Sequence, residues 1–98
     1  MTNKQIQEAV GKAALFEQLA EEAAELAHAA LKYARVLRGE NPTPVNGNEA
    51  FAAVIDEISD VTLCADICGA QPDLNIMYDK RSRWVERIED AEDEAWYE

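Results

Sequence analysis

Apolar residues recur three or four positions apart along three long stretches of the chain. The first stretch runs from Lys12 to Arg38, the second ends at Cys68 and the third follows Pro72. Their apolar positions are, in order, Leu15, Leu19, Leu26, Ala29 or Ala30 and Tyr33; Val54, Ile58, Val61 and Ala65; and Leu74, Met77, Tyr78, Trp84, Val85 and Ile88. This period predicts three amphipathic helices, and no window alternates as a strand does. The pattern therefore predicts an all-α protein.

Capping residues and helix breakers predict where the helices begin and end. Thr2 or Asn3 is expected to cap a short N-terminal helix, which Gly11 interrupts. Gly39 and Gly69 are suited to the left-handed residue that ends a helix. Four helices are thus expected, one short and three long.

The remaining boundaries follow from proline, asparagine and charge. Residues 39–47 hold two prolines and two glycines, which predicts a loop, and Asn48 is the expected N-cap after it. Pro72 is expected at the first position of the last helix. Beyond Ile88 the chain is acidic, and acids at a helix C-terminus oppose its dipole, so fraying is expected there.

The size of the chain predicts one domain over residues 1–98. Its core is expected at about 12–88, followed by an acidic tail at 89–98. Three long amphipathic helices in 98 residues leave apolar faces that one chain covers only in part. We therefore expect a helical bundle that oligomerisation completes, as a homodimer or a homotetramer.

The composition is strongly acidic and narrows the choice of partners. The formal net charge is −11, from 20 acids and 9 bases. A basic surface supplies most of the affinity for duplex DNA and for anionic membranes, so neither is expected as a partner. Four bases form an exception in one short segment: Lys80, Arg81, Arg83 and Arg87. No apolar run is long enough for a membrane span or a signal peptide, which predicts a cytoplasmic protein.

The two cysteines do not match a metal or redox motif. Cys64 and Cys68 are four residues apart on a predicted helix, with no CxxC and no further group spaced for zinc. We expect two reduced thiols in the core.

Two pairs of acids stand where the helical pattern predicts core. Glu22 falls inside the first apolar stripe, and Glu25 lies on the same face, about 60° around the helix. Glu57 and Asp60 repeat this spacing on the second long helix. Carboxylates in an apolar seam repel one another unless they take up a proton or bind a cation, and Mg²⁺ binds carboxylate oxygens. The pattern predicts a Mg²⁺ site between the two helices.

The same residues resemble the motifs of a known enzyme superfamily. Glu21-Glu22-Ala-Ala-Glu25-Leu26 and Asp56-Glu57-Ile-Ser-Asp60-Val61 are similar to the paired ExxE and ExxD motifs of the MazG-like nucleoside triphosphate pyrophosphohydrolases, an all-α superfamily that includes dimeric dUTPases. Lys80-Arg-Ser-Arg83-Trp84 resembles the KxxR signature on the following helix. The similarity covers about residues 13–88.

This resemblance implies hydrolysis of a nucleoside triphosphate between its α and β phosphates, which gives a monophosphate and pyrophosphate. It implies that Glu22, Glu25, Glu57 and Asp60 hold Mg²⁺, or Mn²⁺ in its place, and that Lys80 and Arg83 contact phosphate. The chemistry also needs a base for the attacking water, for which Glu25 is our candidate.

Three further residues are candidates for contacts to the base or sugar of the nucleotide. Phe16 and Trp84 are aromatic residues able to stack on a base, although an aromatic residue on an apolar stripe more often belongs to the core. Gln18 lies one turn before Glu22 on the same face and can hydrogen-bond a base or sugar.

Two other functions are compatible with the same sequence. Glu25-Leu-Ala-His28 has the Glu-x-x-His spacing of di-iron helical bundles, and a dimer would have to supply the second motif, since the chain has one histidine. An acidic interaction module without enzymatic activity is the other alternative, although it would not need matched inward acids. The pattern leaves open the base, the sugar, the number of metal ions and the choice between dimer and tetramer.

Overall fold

A computed structural model of the chain describes residues 1–40 and 46–97, without the side chains of 96 and 97. The described segments form four helices: α1 (Asn3–Val10), α2 (Lys12–Arg38), α3 (Gly47–Cys68) and α4 (Leu74–Tyr97). The all-α prediction is confirmed, and the bounds of α2 are as predicted. None of the described helices combines the length and the apolar composition that crossing a bilayer requires.

Helices α2 and α3 form an antiparallel hairpin that contains the core. At one end Leu15 of α2 packs with Cys64 and Cys68 of α3, and at the other the rings of Tyr33 and Phe51 lie 5.4 Å apart, centroid to centroid. Residues early in α2 therefore face residues late in α3. This register places the middle of α2, with Glu22, opposite the middle of α3, with Glu57.

Helix α1 closes the end of the hairpin that contains Cys68. Its N-terminus has the predicted capping box, in which Thr2 and Gln5 exchange hydrogen bonds between side chain and backbone. The Gln7 amide donates to the Ile67 carbonyl oxygen at 2.7 Å, and the Asn3 amide donates to the carbonyl and the carboxylate of Asp66. Gly11, at a φ of 100°, turns the chain from α1 into α2.

Two predicted helix starts are wrong by a few residues. Asn46, not Asn48, caps α3, and its side chain accepts a hydrogen bond from the Asn48 backbone N–H at 2.7 Å. Helix α4 begins after Asp73 rather than at Pro72, because the Asp73 carboxylate accepts from the backbone N–H groups of residues 75 and 76. In both cases the capping side chain lies two or three residues before the N–H groups that it satisfies. The predicted loop at 39–47 includes residues 41–45, which lie outside the described residues.

Helix α4 continues through the acidic stretch after Ile88 to Tyr97. Residues 89–95 consist of glutamate, aspartate and alanine. The high helix propensity of alanine and glutamate explains how the helix persists against the unfavourable dipole interaction.

Helix α4 does not join the hairpin. Within the described part of the chain it makes no contact with α1, α2 or α3. The radius of gyration is 18.3 Å, whereas a compact chain of this length has one of about 12.6 Å. A single chain therefore does not form the predicted bundle of three long helices, and the apolar face of α4 is exposed along its length.

Candidate metal centre

Five carboxylates meet at the middle of the hairpin. One ligand atom each of Glu22, Glu25 and Glu57 lies within 4.8 Å of the other two, and the same holds for Asp56, Glu57 and Asp60. Glu57 belongs to both groups. The structure thus brings together the four acids that the sequence predicts as metal ligands, and it adds Asp56.

Asp56 is the acid that the prediction omitted. It lies beside Glu57 in sequence and is four residues, about one helical turn, before Asp60, so a helix places it near both. The helical spacing alone was therefore enough to include it.

The two acids at the helix interface each retain a buried oxygen without a partner. Glu22 and Glu57 are half-buried, whereas Glu25 and Asp60 are exposed. Among the described residues no group hydrogen-bonds the buried Oε2 of Glu22 or that of Glu57. A buried carboxylate oxygen without a donor raises the free energy of the folded state, because it has lost its hydrogen bonds to water and no protein group replaces them. Both oxygens are therefore suited to accept a cation.

Glu57 lies one position away from the residue that the sequence places in the core. The predicted stripe of α3 includes Ile58, which is 44% exposed, so this part of the prediction is wrong. The inward positions of α3 are instead Ala50, Val54, Glu57, Val61, Cys64, Ala65, Ile67 and Cys68. The acid thus occupies a core position of the helix.

Electrostatic repulsion within the cluster changes the acidity of Glu57. Burial raises the pKa of Glu57, and the negative charges of Glu25, Asp60, Asp56 and Glu22 raise it further. Two of those four charges belong to α2, so the repulsion acts across the helix interface as well as along α3. A bound cation would remove this repulsion, since it replaces a like charge by an opposite one.

The donor set fits Mg²⁺. All the ligand atoms are hard carboxylate oxygens, which Mg²⁺ prefers. Two oxygens bound to the same Mg²⁺ are at most about 4.2 Å apart, which is twice the Mg–O bond length, and the 4.8 Å limit of each group is close to this value.

Gln18 contacts the cluster directly. Its side-chain amide donates to Oε1 of Glu22 at 2.7 Å, which leaves the unpartnered Oε2 as the free oxygen of that carboxylate. The predicted role of Gln18 in binding a base or sugar is untested. In the structure its side chain hydrogen-bonds Glu22.

A cavity of about 210 Å³ adjoins the carboxylates. Glu22 and Asp60 form part of its wall, and Leu15, Leu63 and Ile67 supply apolar surface. The Cys64 thiol also lines it, and burial, together with the neighbouring Cys68 and Glu22, raises the pKa of that thiol. Cys64 donates to the Leu15 carbonyl oxygen, and both cysteines are free and buried, as predicted.

The predicted phosphate and base contacts lie apart from the carboxylates in a single chain. Lys80, Arg83 and Trp84 are exposed on α4, which does not touch the hairpin. They line a shallow concavity of about 670 Å³ that consists of α4 residues alone. Phe16 is 43% exposed on α2 and does not line the cavity beside the cluster.

His28, the basis of the di-iron alternative, is exposed. It belongs to neither of the two clusters of acids found among the described residues. Comparison of the chain with protein-family models, with curated proteins and with solved structures found no match.

Proposed function

We propose that this protein is a Mg²⁺-dependent nucleoside triphosphate pyrophosphohydrolase of the MazG-like kind, which converts a nucleoside or deoxynucleoside triphosphate to the monophosphate and pyrophosphate. One observation carries the proposal. Two clusters of three acids share Glu57 at the interface between α2 and α3. The inward acids on the two helices, Glu22 and Glu57, each keep a buried oxygen without a hydrogen-bond donor.

The chemistry of the carboxylates supports this choice of reaction. A triphosphate carries several negative charges, and divalent cations neutralise them and polarise the phosphorus centre. Glu22, Glu25, Glu57 and Asp60 would hold Mg²⁺ or Mn²⁺, with Asp56 beside them. Glu57, which belongs to both clusters, would be the ligand that links the acids of α2 to those of α3.

Hydrolysis also needs a base. The oxygen of a water molecule forms a bond to phosphorus while the bridging P–O bond between the α and β phosphates breaks, and pyrophosphate leaves. The proton of that water passes to a carboxylate. Glu25 is our candidate for this role, because it belongs to the cluster yet is exposed, so a water molecule has access to it.

The exposed surface supports an oligomeric enzyme. The accessible surface of the chain is 7953 Å², about 2,400 Å² more than the roughly 5,600 Å² expected of a compact monomer of 10.9 kDa. Stable homodimers bury about 1,000 to 2,500 Å² on each subunit. A homodimer or homotetramer would account for the excess.

A substrate screen tests the proposed reaction. Each common ribo- and deoxyribonucleoside triphosphate is incubated with the protein and Mg²⁺, and monophosphate, pyrophosphate and orthophosphate are quantified separately. We expect pyrophosphate and monophosphate in equal amounts from at least one substrate. Orthophosphate as the sole phosphate product, or undiminished turnover in excess chelator, would contradict the proposal. Bound iron with an oxo-bridge absorption band would favour the di-iron alternative.

A further inference from the structure

Helix α4 has an apolar face that no other helix of the described chain covers. Six of its large apolar side chains lie within about 120° of one another around the helix, at about 100° per residue: Leu74, Met77, Tyr78, Trp84, Val85 and Ile88. They are between 36% and 78% exposed. Most helical stability in proteins comes from packing such a face, so α4 needs a surface to pack against.

Two charged residues interrupt this apolar face, one of each sign. Arg81 lies about 20° around the helix from Leu74 and from Ile88, because seven residues complete almost two turns. Glu92, eleven residues after Arg81, also lies about 20° from it. A charge that packs against apolar surface loses water and needs an opposite charge in its place. The surface that covers α4 must therefore offer an acid to Arg81 and a base to Glu92.

The α2–α3 hairpin offers the acid more readily than the base. Helix α3 contains five acids and no lysine or arginine, so it can face Arg81 but has no partner for Glu92. Helix α2 carries its bases at its two ends: Lys12, Lys32, Arg35 and Arg38. The middle of the hairpin is acidic on both helices.

A second α4 offers both charges at the separation that is needed. In an antiparallel pair, with a two-fold axis between residues 86 and 87, Arg81 of each copy lies level with Glu92 of the other. Val85 then lies level with Ile88 of the second copy, so apolar residues meet between the two ion pairs. A parallel pair in register would place Arg81 beside Arg81 and Glu92 beside Glu92, where like charges repel.

The remaining charges of α4 favour the same antiparallel arrangement. The helix contains seven acids and four bases; all four bases lie within residues 80–87, and five of the acids lie within residues 89–94. An antiparallel pair thus brings the basic half of each helix beside the acidic half of the other. The three further bases each lie level with an acid of the second copy: Lys80 with Asp93, Arg83 with Asp90, and Arg87 with Glu86. Asp79, level with Glu94, is the one match of like charges.

We infer that α4 packs antiparallel on the α4 of a second copy, with Arg81 of each copy paired with Glu92 of the other inside an apolar seam. This register overlaps residues 76–97 of the two helices, which includes five of the six apolar side chains of the face. Arg83 lies about 160° around the helix from Arg81, so the contact leaves it accessible. The packing of α4 on α4 neither requires nor excludes the proposed hydrolysis.

Charge reversal at the two seam positions tests the pairing. Arg81→Glu and Glu92→Arg each place like charges face to face twice in a dimer, so each should raise the dimer dissociation constant at least about 100-fold. A mixture of the two single variants should form a heterodimer, because both of its seam contacts then join opposite charges. The double variant Arg81→Glu/Glu92→Arg should associate as the wild type does. Sedimentation velocity over a concentration series gives the constants, and native mass spectrometry identifies the heterodimer.

Arg83→Glu and Asp90→Arg are the matched controls for this measurement. They make the same changes of charge on the side of α4 that faces away from the seam, and should alter the dissociation constant by less than about 10-fold. Single reversals at 81 and 92 that associate like the wild type would overturn the inference. So would single variants that dissociate and recover neither on mixing nor in the double variant, which is the result expected if Arg81 faces a hairpin. A monomeric wild type would overturn it as well.

Disulfide trapping tests the register without reversing a charge. Val85→Cys places the two new thiols within about 5 Å of each other along the seam, whereas Tyr78→Cys separates them by about 25 Å. The native Cys64 and Cys68 are buried, and the wild type measures their background. With oxidised glutathione as the oxidant, we expect a covalent dimer from Val85→Cys and none from Tyr78→Cys. Equal trapping at both positions would indicate a parallel pair, and no trapping at position 85 would place α4 on another surface; either result overturns the inference.

Discussion

Glu22 on α2 and Glu57 on α3 place carboxylate oxygens within 4.8 Å of each other across a helix interface, and each acid keeps a second, buried oxygen without a hydrogen-bond partner. Two negative charges this close repel each other, and the remaining cluster of Glu25, Asp56 and Asp60 adds to the repulsion. The metal-free hairpin is therefore destabilised at its centre. That cost is expected where a protein maintains a site for a cation.

Neutralising Glu57 should stabilise the metal-free protein. Glu57→Gln keeps the size of the side chain and removes one charge from the cluster, so we expect a higher melting temperature than the wild type in excess chelator at pH 7. Glu49→Gln is the control on the same helix. It removes an acid from the first turn of α3, where it interacts favourably with the helix dipole, and should leave the melting temperature unchanged or slightly lower. A lower melting temperature for Glu57→Gln than for Glu49→Gln would contradict the proposed repulsion.

The stability gained by Glu57→Gln should depend on pH. The pKa of Glu57 is raised above its ordinary value of 4.5, so the folded chain binds this proton more readily than the unfolded chain does. Protonation of Glu57 therefore stabilises the metal-free fold at low pH, and this stabilisation is lost as the pH rises through the raised pKa. The difference in melting temperature between Glu57→Gln and the wild type should be largest near pH 7 and should vanish as the pH falls below the ordinary pKa of 4.5. A difference that stays constant over this range would show that Glu57 titrates normally.

Mg²⁺ should stabilise the wild type by binding to the folded state. At one hundred times its dissociation constant, linkage gives on the order of 2.7 kcal/mol at one site. Glu25→Gln and Glu57→Gln should show much smaller gains in melting temperature, because each removes a ligand. Glu17→Gln, an exposed acid of α2 outside the cluster, should respond as the wild type does. Equal stabilisation of all four proteins would mean that these carboxylates do not bind the ion.

Gln18→Ala should weaken Mg²⁺ binding, because Gln18 holds Glu22 through the hydrogen bond of 2.7 Å. Loss of a residue that orients a metal ligand typically reduces metal affinity about 10- to 100-fold. The dissociation constant can be measured by titrating Mg²⁺ and following the melting temperature. If instead Gln18 contacts the base or sugar, the variant should bind Mg²⁺ as the wild type does and change only its KM for the nucleotide.

Much of the hairpin could be predicted from local sequence features. The bounds of α2, the capping box at Thr2 and the left-handed glycines at 39 and 69 depend on residues adjacent in the chain. The inward position of Glu22 also followed from the helical period, because the apolar residues around it define one face. These features needed no knowledge of the tertiary structure.

The wrong predictions concern pairs of neighbouring residues that the local sequence makes almost equally suitable for the same position. Asn46 and Asn48 are both good N-caps, and Gly47 between them is compatible with loop or helix, so the sequence could not decide which asparagine begins α3. Glu57 and Ile58 lie 100° apart on α3, and the apolar residue was assigned to the core although the acid occupies it. Only the packing of α2 against α3 distinguishes these alternatives.

The position of α4 is the least predictable feature. Its apolar period is as clear as that of α2, yet periodicity shows only that a helix has a face to bury, not which chain supplies the opposing surface. In one chain, only residues 69–73 separate α4 from α3, and α4 does not contact the described part of the hairpin.

Pyrophosphate release by the wild type and by Glu57→Gln, measured side by side with Mg²⁺ and the best substrate of the screen, tests the proposed function most directly. Glu57 is the one residue that belongs to both clusters of acids, that of Glu22 and Glu25 and that of Asp56 and Asp60. We expect the wild type to release one pyrophosphate for each monophosphate and Glu57→Gln to be inactive, while Glu49→Gln retains wild-type turnover. Wild-type rates in Glu57→Gln, with its fold intact by circular dichroism, would show that the carboxylate cluster does not carry the reaction.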